Sequence, residues 1–521
     1  MADPEQPKAA SFFARPLGRD GLVNEIDTVR EPLIGGSGPS ESYSVCAAIL
    51  PFLFPALGGL LYGYDIGATS GATISLKSST LSGTTWYNLS SVEIGLVVSG
   101  SLYGALIGSA LAFTVADSLG RRRELILASL LYFIGALLTA LAPDFAVLVI
   151  GRFVFGTGIG LAMHAAPMYI AETAPSQIRG TLISLKEFFI VIGMLLGYIS
   201  GSIYVELVAG WRYMYATSAP LCLIMGLGMW WLPPSPRWLL LCAIQGKGSI
   251  LDTKEFAVRC LCRLRGQALD DSISVQVDAI LAELSYAGQE KAATLSEIFQ
   301  GKCLKALIIG CGLVFFQQVT GQPSVLYYAA TILQSAGFSA ASDATRVSVL
   351  LGVLKLLLTG IAVLVVDRLG RRPLLIGGVS GIVSLLAFAA NYYLCRFLLV
   401  ISLFLLSSYY TLLNDFAFVA VIALLLYVGC YQLSFGPIGW LMISEVFPLR
   451  LRGRGLSIAV LVNFASNALV TFGFSPLQAL VGTGVLFAGF GVIALASLLF
   501  IIFVVPETKG LTLEEIEAKI L

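Results

Sequence analysis

The chain has 521 residues, of which 57% are hydrophobic and only 12% charged, and its formal net charge is +1. This polar surface is too small to cover a water-soluble protein of such length, so lipid must contact much of the chain. The net charge gives no indication of nucleic-acid binding, and no nucleophile–base set, metal cluster or phosphate loop indicates an enzyme. The composition therefore predicts an integral membrane protein without catalytic residues, metal or cofactor.

The first 45 residues contain seven acidic and four basic side chains and no apolar core. A signal peptide needs an apolar core and a transit peptide is poor in acid, so this segment matches neither. Glu31-Pro-Leu-Ile34 loosely resembles an acidic dileucine sorting signal, although Val29 stands where the acid usually lies. We expect residues 1–45 to form a cytoplasmic tail.

Apolar runs in the first half are long enough to cross a bilayer, which takes about 20 residues of helix. They lie near 46–70, 92–116, 124–142, 145–168, 182–203 and 211–232. We therefore expect six membrane helices in an N-terminal half that spans residues 46–232.

The second half, residues 303–505, contains six further apolar runs, of which the third is too long for one ordinary span. They lie near 303–330, 345–366, 374–413, 416–442, 454–478 and 482–505. An extra crossing would put Glu445 on the wrong side, so we expect the surplus within 374–413 to form a long or broken helix or an outward hairpin. The whole chain is thus predicted to be all-α, with twelve transmembrane helices.

Basic residues cluster on alternate loops, which the positive-inside rule assigns to the cytoplasm. The clusters are Arg121 to Arg123, Arg371 with Arg372, and Arg450, Arg452 and Arg454. Residues 233–302 carry sixteen charges in seventy positions and are predicted to form a cytoplasmic helical linker between the halves. Both termini then face the cytoplasm, with residues 506–521 as the C-terminal tail.

The two halves repeat one another in sequence. Glu172, Pro175, Arg179 and Gly180 recur as Glu445, Pro448, Arg452 and Gly453, each 273 positions later, and Pro233 recurs as Pro506. Asp117-Ser-Leu-Gly-Arg-Arg matches Asp367-Arg-Leu-Gly-Arg-Arg at a shift of 250. The chain is therefore predicted to be two copies of one membrane unit.

Ionisable side chains inside membrane helices are functional candidates, because each costs about 2.5 to 3.5 kcal/mol on insertion scales. Asp65 lies in Gly63-Tyr-Asp-Ile-Gly67 on the first helix, where the glycines permit close helix approach. Arg152 begins a series of glycines in the fourth span, and pairing with Asp65 would satisfy both charges.

Two interpretations of this pair stay open. The pair is either a structural lock between two helices or a switch that carries a proton. When the arginine moves away, burial and the loss of the opposite charge both favour the neutral acid, so the aspartate would bind a proton.

Glu187 in the fifth span and Lys355 in the eighth are two further charges within the membrane. A lysine at mid-bilayer needs an acid or a water-filled cavity, and we hypothesise that Lys355 faces Glu187 as an intramembrane ion pair. The alternative is that Glu187 neutralises only the adjacent Lys186.

Polar side chains in the seventh span include Gln317, Gln318 and Gln322, which a continuous helix would place on one face. Amides both donate and accept hydrogen bonds, as a neutral polyhydroxylated ligand requires. Trp440 offers an aromatic face to the C–H side of a sugar ring, and Asn463 offers a further amide. Singly, each is better interpreted as a contact between helices, but together, from several helices, they predict a pocket.

His164, the only histidine, lies near the end of the fourth span. It is interpreted either as a packed neutral side chain or as a pH sensor.

Taken together, these motifs resemble those of the sugar porters of the major facilitator superfamily. The matching pieces are Gly-Tyr-Asp-Ile-Gly at 63–67, Asp-Ser-Leu-Gly-Arg-Arg at 117–122, Gly-Arg at 151–152, Gln-Gln-Val-Thr-Gly at 317–321 and Pro-Glu-Thr-Lys-Gly at 506–510. Within that family the segment 317–328 looks most similar to plant vacuolar glucose transporters, which are also called xylose–proton symporter-like.

The resemblance implies that Asp65 is the proton-coupling acid and Arg152 its partner. It also implies sugar-binding positions at Gln317, Gln318, Trp440 and Asn463. A cytoplasmic gate is implied at Asp117, Arg121, Arg122, Glu172, Arg179, Asp367, Arg371, Arg372, Glu445 and Arg452.

Three positions depart from the family pattern. Glu187 and Pro323 stand where the family has a glutamine and an asparagine, which leaves the identity of the sugar open. Pro234 replaces the acid of the usual Pro-Glu-Ser-Pro-Arg. We therefore expect the balance of charges in the cytoplasmic gate to differ from that of the family.

The resemblance implies proton-coupled transport of glucose or a related hexose or pentose by alternating access, with two halves rocking about a central site. A passive sugar carrier is the nearest alternative and a sugar sensor a more distant one. We expect a monomer in the vacuolar membrane, with the plasma membrane and the plastid envelope as alternatives.

Overall fold

A computed structural model of the chain describes most of its residues, and the secondary structure of this described part is helical. The described residues are 45–175, 178–246, 249–266, 271–289, 299, 301–338, 340–369, 371–380, 417–447 and 452–508.

The N-terminal half consists of seven helices. They are α1 (Val45–Lys77), α2 (Ser91–Leu119), α3 (Arg121–Ala140), α4 (Phe145–Thr173), α5 (Arg179–Tyr204), α6 (Gly210–Ala216) and α7 (Ser218–Trp231). The first five correspond to the first five apolar runs. The sixth run is divided into α6 and α7 at Thr217.

Three shorter helices follow in the segment predicted to be the linker. They are α8 (Pro236–Ile244), α9 (Ile250–Arg265) and α10 (Asp271–Gln289). Their apolar sides form a small hydrophobic core of their own, which includes Leu240, Leu261 and Val277. This core, rather than lipid, buries the apolar face of each linker helix.

The C-terminal half contains eight helices in its described part. They are α11 (Gly301–Val319), α12 (Gln322–Tyr327), α13 (Ala329–Ser335), α14 (Ala341–Leu369), α15 (Arg371–Ser380), α16 (Ala417–Val446), α17 (Arg452–Val481) and α18 (Thr483–Val504). The surplus predicted within 374–413 lies, beyond α15, outside the described residues.

The seventh apolar run is broken where the sequence predicts a continuous helix. Helix α11 ends at Val319, and Gly321 adopts a φ of 89°, in the left-handed region that glycine tolerates best. Gln322 then begins α12. The prediction that Gln317, Gln318 and Gln322 share one face by helical spacing is therefore wrong, because the backbone turns between them.

Nine helices of the described part are long and apolar enough to cross a membrane. A tenth is counted when the segments 210–231 and 236–244, which are bent by 58°, are taken as one span. The count leaves out α1, whose 33 residues include Pro51, Pro55 and Asp65. Large apolar side chains such as Leu227 and Phe503 are 73% and 80% exposed, as expected for surfaces in contact with lipid.

The two halves meet along two helix pairs, α2 with α17 and α5 with α14. Hydrogen bonds also join them directly. Ala330 N donates to Ser70 Oγ at 3.0 Å, and Tyr198 Oη donates to the Leu326 carbonyl at 2.8 Å. These contacts tie α12 and α13 of the second half to α1 and α5 of the first, and they enclose the space in which the polar side chains collect.

Helices α1 and α5 approach so closely that their backbones touch at glycines. A methyl group on Gly63 would overlap the backbone of Ile190 and Met194, and one on Gly67 would overlap the backbone of Met194 and Tyr198. Gly193 meets the backbone of α1 in the same way. The close approach predicted from the glycines around Asp65 is therefore present, and it fixes the position of that carboxylate.

Replacing Gly63 with alanine should lower the thermal stability of the purified protein, because neither backbone can move without separating α1 from α5. Overpacking of this kind costs about 1 to 3 kcal/mol or more. Gly489→Ala in α18 is the matched control, since its added methyl meets no atom within 4 Å. Equal melting temperatures for the two variants would contradict the tight α1–α5 contact.

Candidate substrate and proton site

Asp65 and Arg152 form the ion pair that the sequence predicts. Both are almost fully buried, with side-chain exposures of 2% and 1%. Arg152 Nη1 donates to Asp65 Oδ1, and Nη2 lies 3.2 Å from Oδ2. Ser101 Oγ donates to Oδ2 at 2.8 Å and accepts from Arg152 Nη2 at 3.0 Å. The two charges and the hydroxyl thus form a closed hydrogen-bonded triangle between α1, α2 and α4.

The guanidinium of Arg152 has partners that do not depend on Asp65. Its Nε donates to the carbonyl of Val97 at 3.0 Å, and its Cζ lies 5.2 Å from the centre of the Tyr215 ring. A cavity of about 10 Å³, about the size of one water, lies beside the pair and is lined in part by Ser218. The arginine can therefore stay satisfied when its bond to the carboxylate is lost.

The sequence alone missed Ser101 and Tyr215 as partners of this pair. Neither belongs to a charged motif, and both lie on other helices than the two charges. The signal available for Ser101 was its place within the glycine-rich stretch of α2. A buried carboxylate needs more hydrogen-bond donors than one arginine supplies, and a nearby serine can provide one.

Gln317 and Gln318 point toward different neighbours in the C-terminal half. Gln317 Nε2 donates to the carbonyl of Phe435 on α16 at 2.8 Å. Gln318 Nε2 donates to Asn463 Oδ1 on α17 at 2.6 Å. The adjacent amides therefore join α11 to two helices, and the structure brings Asn463 to the predicted pocket.

Several polar atoms in this region are buried without a hydrogen-bond partner in the described part of the chain. They are Gln317 Oε1, Gln322 Nε2, Ser324 Oγ and Gln432 Nε2. Unpaired buried polar atoms are rare in proteins and call for an explanation such as a bound ligand. These atoms are one amide oxygen that accepts, one hydroxyl and two amide nitrogens that donate. Such a set suits a molecule that carries several hydroxyl groups.

Trp440 is half-buried on α16 and packs against the hydrophobic core. On α17, Asn467 lies one turn from Asn463, and its Nδ2 is 3.4 Å from Tyr62 Oη on α1. This contact crosses from one half to the other beside the amide cluster. Amides of the C-terminal half and Tyr62 of the N-terminal half thus meet in this region.

Glu187 and Lys355 lie on α5 and α14, the two helices that pack together between the halves. Each interacts electrostatically with the other, but the described residues show no direct ion pair between them. Glu187 also interacts with Lys186, so the alternative from the sequence persists in the structure. Glu187 therefore lies between a lysine of its own half and one of the opposite half.

Two tyrosines connect the aspartate–arginine pair with the amide cluster. Tyr62 interacts electrostatically with both Asp65 and Glu187. Tyr327, at the end of α12, interacts with Asp65, Arg152 and Tyr62. Tyr62 and Tyr327 thus lie near both the buried ion pair and the amide cluster.

The predicted gate residues are only partly described. Arg121 Nε lies 3.1 Å from Glu172 Oε1, while Thr508 Oγ1 donates to Glu445 Oε2 at 2.7 Å. Arg122 Nε donates to the Met229 carbonyl at 3.1 Å, and Arg372 Nη2 donates to the Ile502 carbonyl at 2.7 Å. The side chains of Asp117, Arg179, Asp367, Arg371 and Arg452 lie outside the described part.

His164 has a partner that the sequence did not indicate. Its Nδ1 lies 2.9 Å from Glu124 Oε1, and the Glu124 side chain is 1% exposed in the first turn of α3. Glu124 follows three arginines in the sequence. Helix α3 begins at Arg121, however, so Glu124 is turned inward against α4.

The family model described as "Sugar (and other) transporter" matches residues 52–520. The chain is 67% identical over 519 residues to D-xylose-proton symporter-like 2 of Arabidopsis thaliana, covering 100% of this chain and 99% of that protein. It is 35% identical to the D-xylose transporter of Levilactobacillus brevis, over 90% of this chain and 94% of that protein. The resemblance found in the motifs is thereby confirmed.

Among solved structures, the chain is similar to the inward open conformation of the xylose transporter XylE from E. coli. The TM-score is 0.72 at 31% sequence identity, with 90% of this chain and 98% of that chain covered. Together with the helical pattern, this likeness confirms the predicted all-α major facilitator fold. The domain boundaries and the roles of the site residues stay predictions.

A double-mutant cycle between Glu187→Gln and Lys355→Met tests whether the two side chains act as a pair. Each single change leaves one buried charge unbalanced, so the double variant should be more stable than the sum of the singles predicts, by about 0.5 to 3 kcal/mol. The cycle of Glu187→Gln with Lys186→Met is the matched control. Coupling found only with Lys186 in thermal unfolding would remove the pairing across the halves.

Proposed function

Since this chain belongs to the family of sugar transporters, we propose that it moves a monosaccharide across a membrane together with protons, by alternating access. The observation that carries the proton coupling is the buried Asp65–Arg152 pair, closed by Ser101. A facilitator without coupling has no need of an ionisable acid at this depth. The D-xylose-proton symporter-like name of the Arabidopsis relative agrees with this proposal.

Protonation of Asp65 is the step that loosens α1 from α4. The neutral acid loses its charge-assisted bonds, while Arg152 retains the Val97 carbonyl and the Tyr215 ring as partners. Breaking a buried ion pair without a proton would leave a bare charge and cost about 3 to 5 kcal/mol. Movement of the pair is therefore favoured only after the proton has bound.

The sugar lies between the halves, where Gln317, Gln318, Gln322 and Asn463 border α1 and α5. The unpaired Gln317 Oε1 and Gln322 Nε2 offer one acceptor and one donor to ring hydroxyls. Trp440 supplies an apolar face for the C–H side of the ring. Because these groups come from α11, α12, α16 and α17, movement of one half against the other opens the site to either side.

The proton gradient supplies enough free energy for uphill transport. One pH unit is worth about 1.4 kcal/mol, and 100 mV of membrane potential about 2.3 kcal/mol per charge. Either term alone accumulates sugar roughly tenfold or more. In this scheme the linker and both chain termini lie in the cytoplasm, and the transporter works as a monomer.

Glucose, or a related hexose or pentose, is the proposed substrate. The relatives' names mention D-xylose, whereas Glu187 brings a carboxylate to the position at which the family resemblance implies a glutamine. A carboxylate accepts two hydroxyl hydrogen bonds where an amide oxygen and nitrogen accept one and donate one. The preference between sugars therefore depends on whether Lys355 neutralises Glu187.

Transport by proteoliposomes under an imposed pH gradient tests the proposal, with glucose, xylose and fructose as substrates. The wild-type protein should accumulate its sugar above the external concentration and acidify the lumen when sugar is added. Asp65→Asn should abolish accumulation but keep downhill exchange, because the amide cannot bind a transferable proton.

A melting temperature close to that of the wild type serves as the folding control for Asp65→Asn. Uphill accumulation that survives in this variant would exclude Asp65 as the coupling site. Wild-type uptake without proton movement would indicate a passive carrier, and binding without any uptake would indicate a sensor.

We further propose the vacuolar membrane as the location, on the resemblance of segment 317–328 and the acidic character of residues 1–45. One relative at 63% identity carries the name D-xylose-proton symporter-like 3, chloroplastic, so the plastid envelope is the competing site. A fluorescent fusion of the full chain in plant cells should outline the vacuole. Fluorescence at the plastid envelope or the plasma membrane would contradict this assignment.

A further inference from the structure

A cavity of about 210 Å³ lies between the start of α3 and the helix α8 of the linker, well apart from the sugar site. Its walls include three successive arginines on one side. On the other side are Pro234, Trp238 and Phe256. None of the described residues that line it is acidic, so its charge is positive.

The arginines of the cavity are unequally neutralised. Arg121 is paired with Glu172, whereas the partners of Arg122 within the described part of the chain are the backbone carbonyls of Met229 and Trp230. Arg123 is exposed and takes part in no ion pair with a described residue. Two positive charges at this cavity therefore have no carboxylate of the described part beside them.

The second copy of the repeat shows what occupies the equivalent place. Arg122 corresponds to Arg372 by the shift of 250, and Pro234 corresponds to Glu507 by the shift of 273. Glu507 Oε2 accepts a hydrogen bond from Arg372 N at 3.1 Å, at the start of α15. In the C-terminal half a carboxylate of the chain itself thus meets the first turn of the helix.

The N-terminal half lacks that carboxylate although the surrounding contacts are repeated. Arg122 holds the carbonyl of Met229, and Arg372 holds that of Ile502, which is the same position by the shift of 273. Pro234 brings neither charge nor hydrogen-bond donor, and α3 begins at Gly120 without a side-chain cap. The two sites therefore differ in the anion and in one base, because Arg123 of the first copy corresponds to Pro373 of the second.

The cavity also lies beside a surface suited to the membrane boundary. Trp230 and Trp231, at the end of α7, are 70% and 55% exposed, and tryptophans are enriched at the level of the lipid headgroups. The guanidinium of Arg263 lies over the Trp231 ring, at 5.2 Å from its centre. Basic pockets at this level on the cytoplasmic side are typical of sites for phosphorylated headgroups.

We propose that this cavity binds a phosphate group, which takes the place that Glu507 fills in the other half. The phosphate oxygens accept hydrogen bonds from Arg123 and from the first turn of α3, and the apolar wall of Trp238 and Phe256 covers the rest of the ligand. The source is either the headgroup of an anionic lipid in the cytoplasmic leaflet or a soluble phosphate ester. Occupation would tie α3 to the linker beside the Arg121–Glu172 pair.

Titration of the purified full-length protein with three probes tests this site and distinguishes the sources. The probes are dioctanoyl phosphatidylinositol phosphate, a soluble inositol phosphate and inorganic phosphate, with dioctanoyl phosphatidylcholine as the neutral reference. Pro234→Glu should abolish saturable binding of the phosphate probes, because it supplies the missing carboxylate. Arg123→Gln should weaken binding about fivefold, as expected for the loss of one basic side chain beside an anionic headgroup.

Arg259→Gln is the matched control, because Arg259 is an exposed arginine of α9 that is paired with Glu255 and does not line the cavity. Tighter binding of the lipid than of the soluble probes would identify a headgroup site, and the reverse order a site for a soluble ester. The proposal is overturned if no phosphate probe binds more tightly than phosphatidylcholine. It is also overturned if Arg259→Gln weakens binding as much as Arg123→Gln, or if Pro234→Glu leaves affinity unchanged while keeping the wild-type melting temperature.

Discussion

The ion pair between Asp65 and Arg152 is the constraint on which the rest of the N-terminal half depends. Its charges are buried between α1, α2 and α4, where the charged Asp65 cannot lose its partner without a large loss of stability. The glycines of α1 let α5 approach, and this packing holds Asp65 at the level of the arginine. In the proposed mechanism, this rigid pair changes only when a proton removes the charge of Asp65.

The duplication shows which contacts the membrane unit needs and which it can vary. Arg122 and Arg372 hold carbonyls at equivalent positions, Met229 and Ile502, so the attachment of this arginine to the end of the last helix is common to both halves. The halves differ in their candidate functional residues. The first half contains the buried Asp65–Arg152 pair, whereas the second contains the amides of the broken seventh span. Each half alone therefore lacks the residues of one of the two candidate sites.

Long-range features of the fold could be predicted from the sequence, because apolar length and loop charge are local signals that a bilayer enforces. The pairing of Asp65 with Arg152 followed from the cost of leaving either charge alone. The break at Gly321 could not be predicted, since a glycine tolerates both helix and left-handed backbone, and tertiary contacts decide between them. The separate partners of Gln317 and Gln318 could not be predicted either, because they depend on which residues α16 and α17 place beside α11. The contact between His164 and Glu124 could not be predicted either, because the start of α3 decides whether Glu124 faces water or α4.

Coupling between proton and sugar requires that each ligand change the affinity for the other by the same factor. The arrangement of Tyr62 and Tyr327 provides a physical route for this exchange. Tyr62 interacts with Asp65 and Glu187 and contacts Asn467 of the opposite half, while Tyr327 interacts with both members of the buried ion pair. In the proposed scheme, a sugar that orders these tyrosines would change the surroundings of Asp65, and loss of the Asp65 charge would change the surroundings of the sugar. This short chain of contacts is sufficient to link the two binding events thermodynamically.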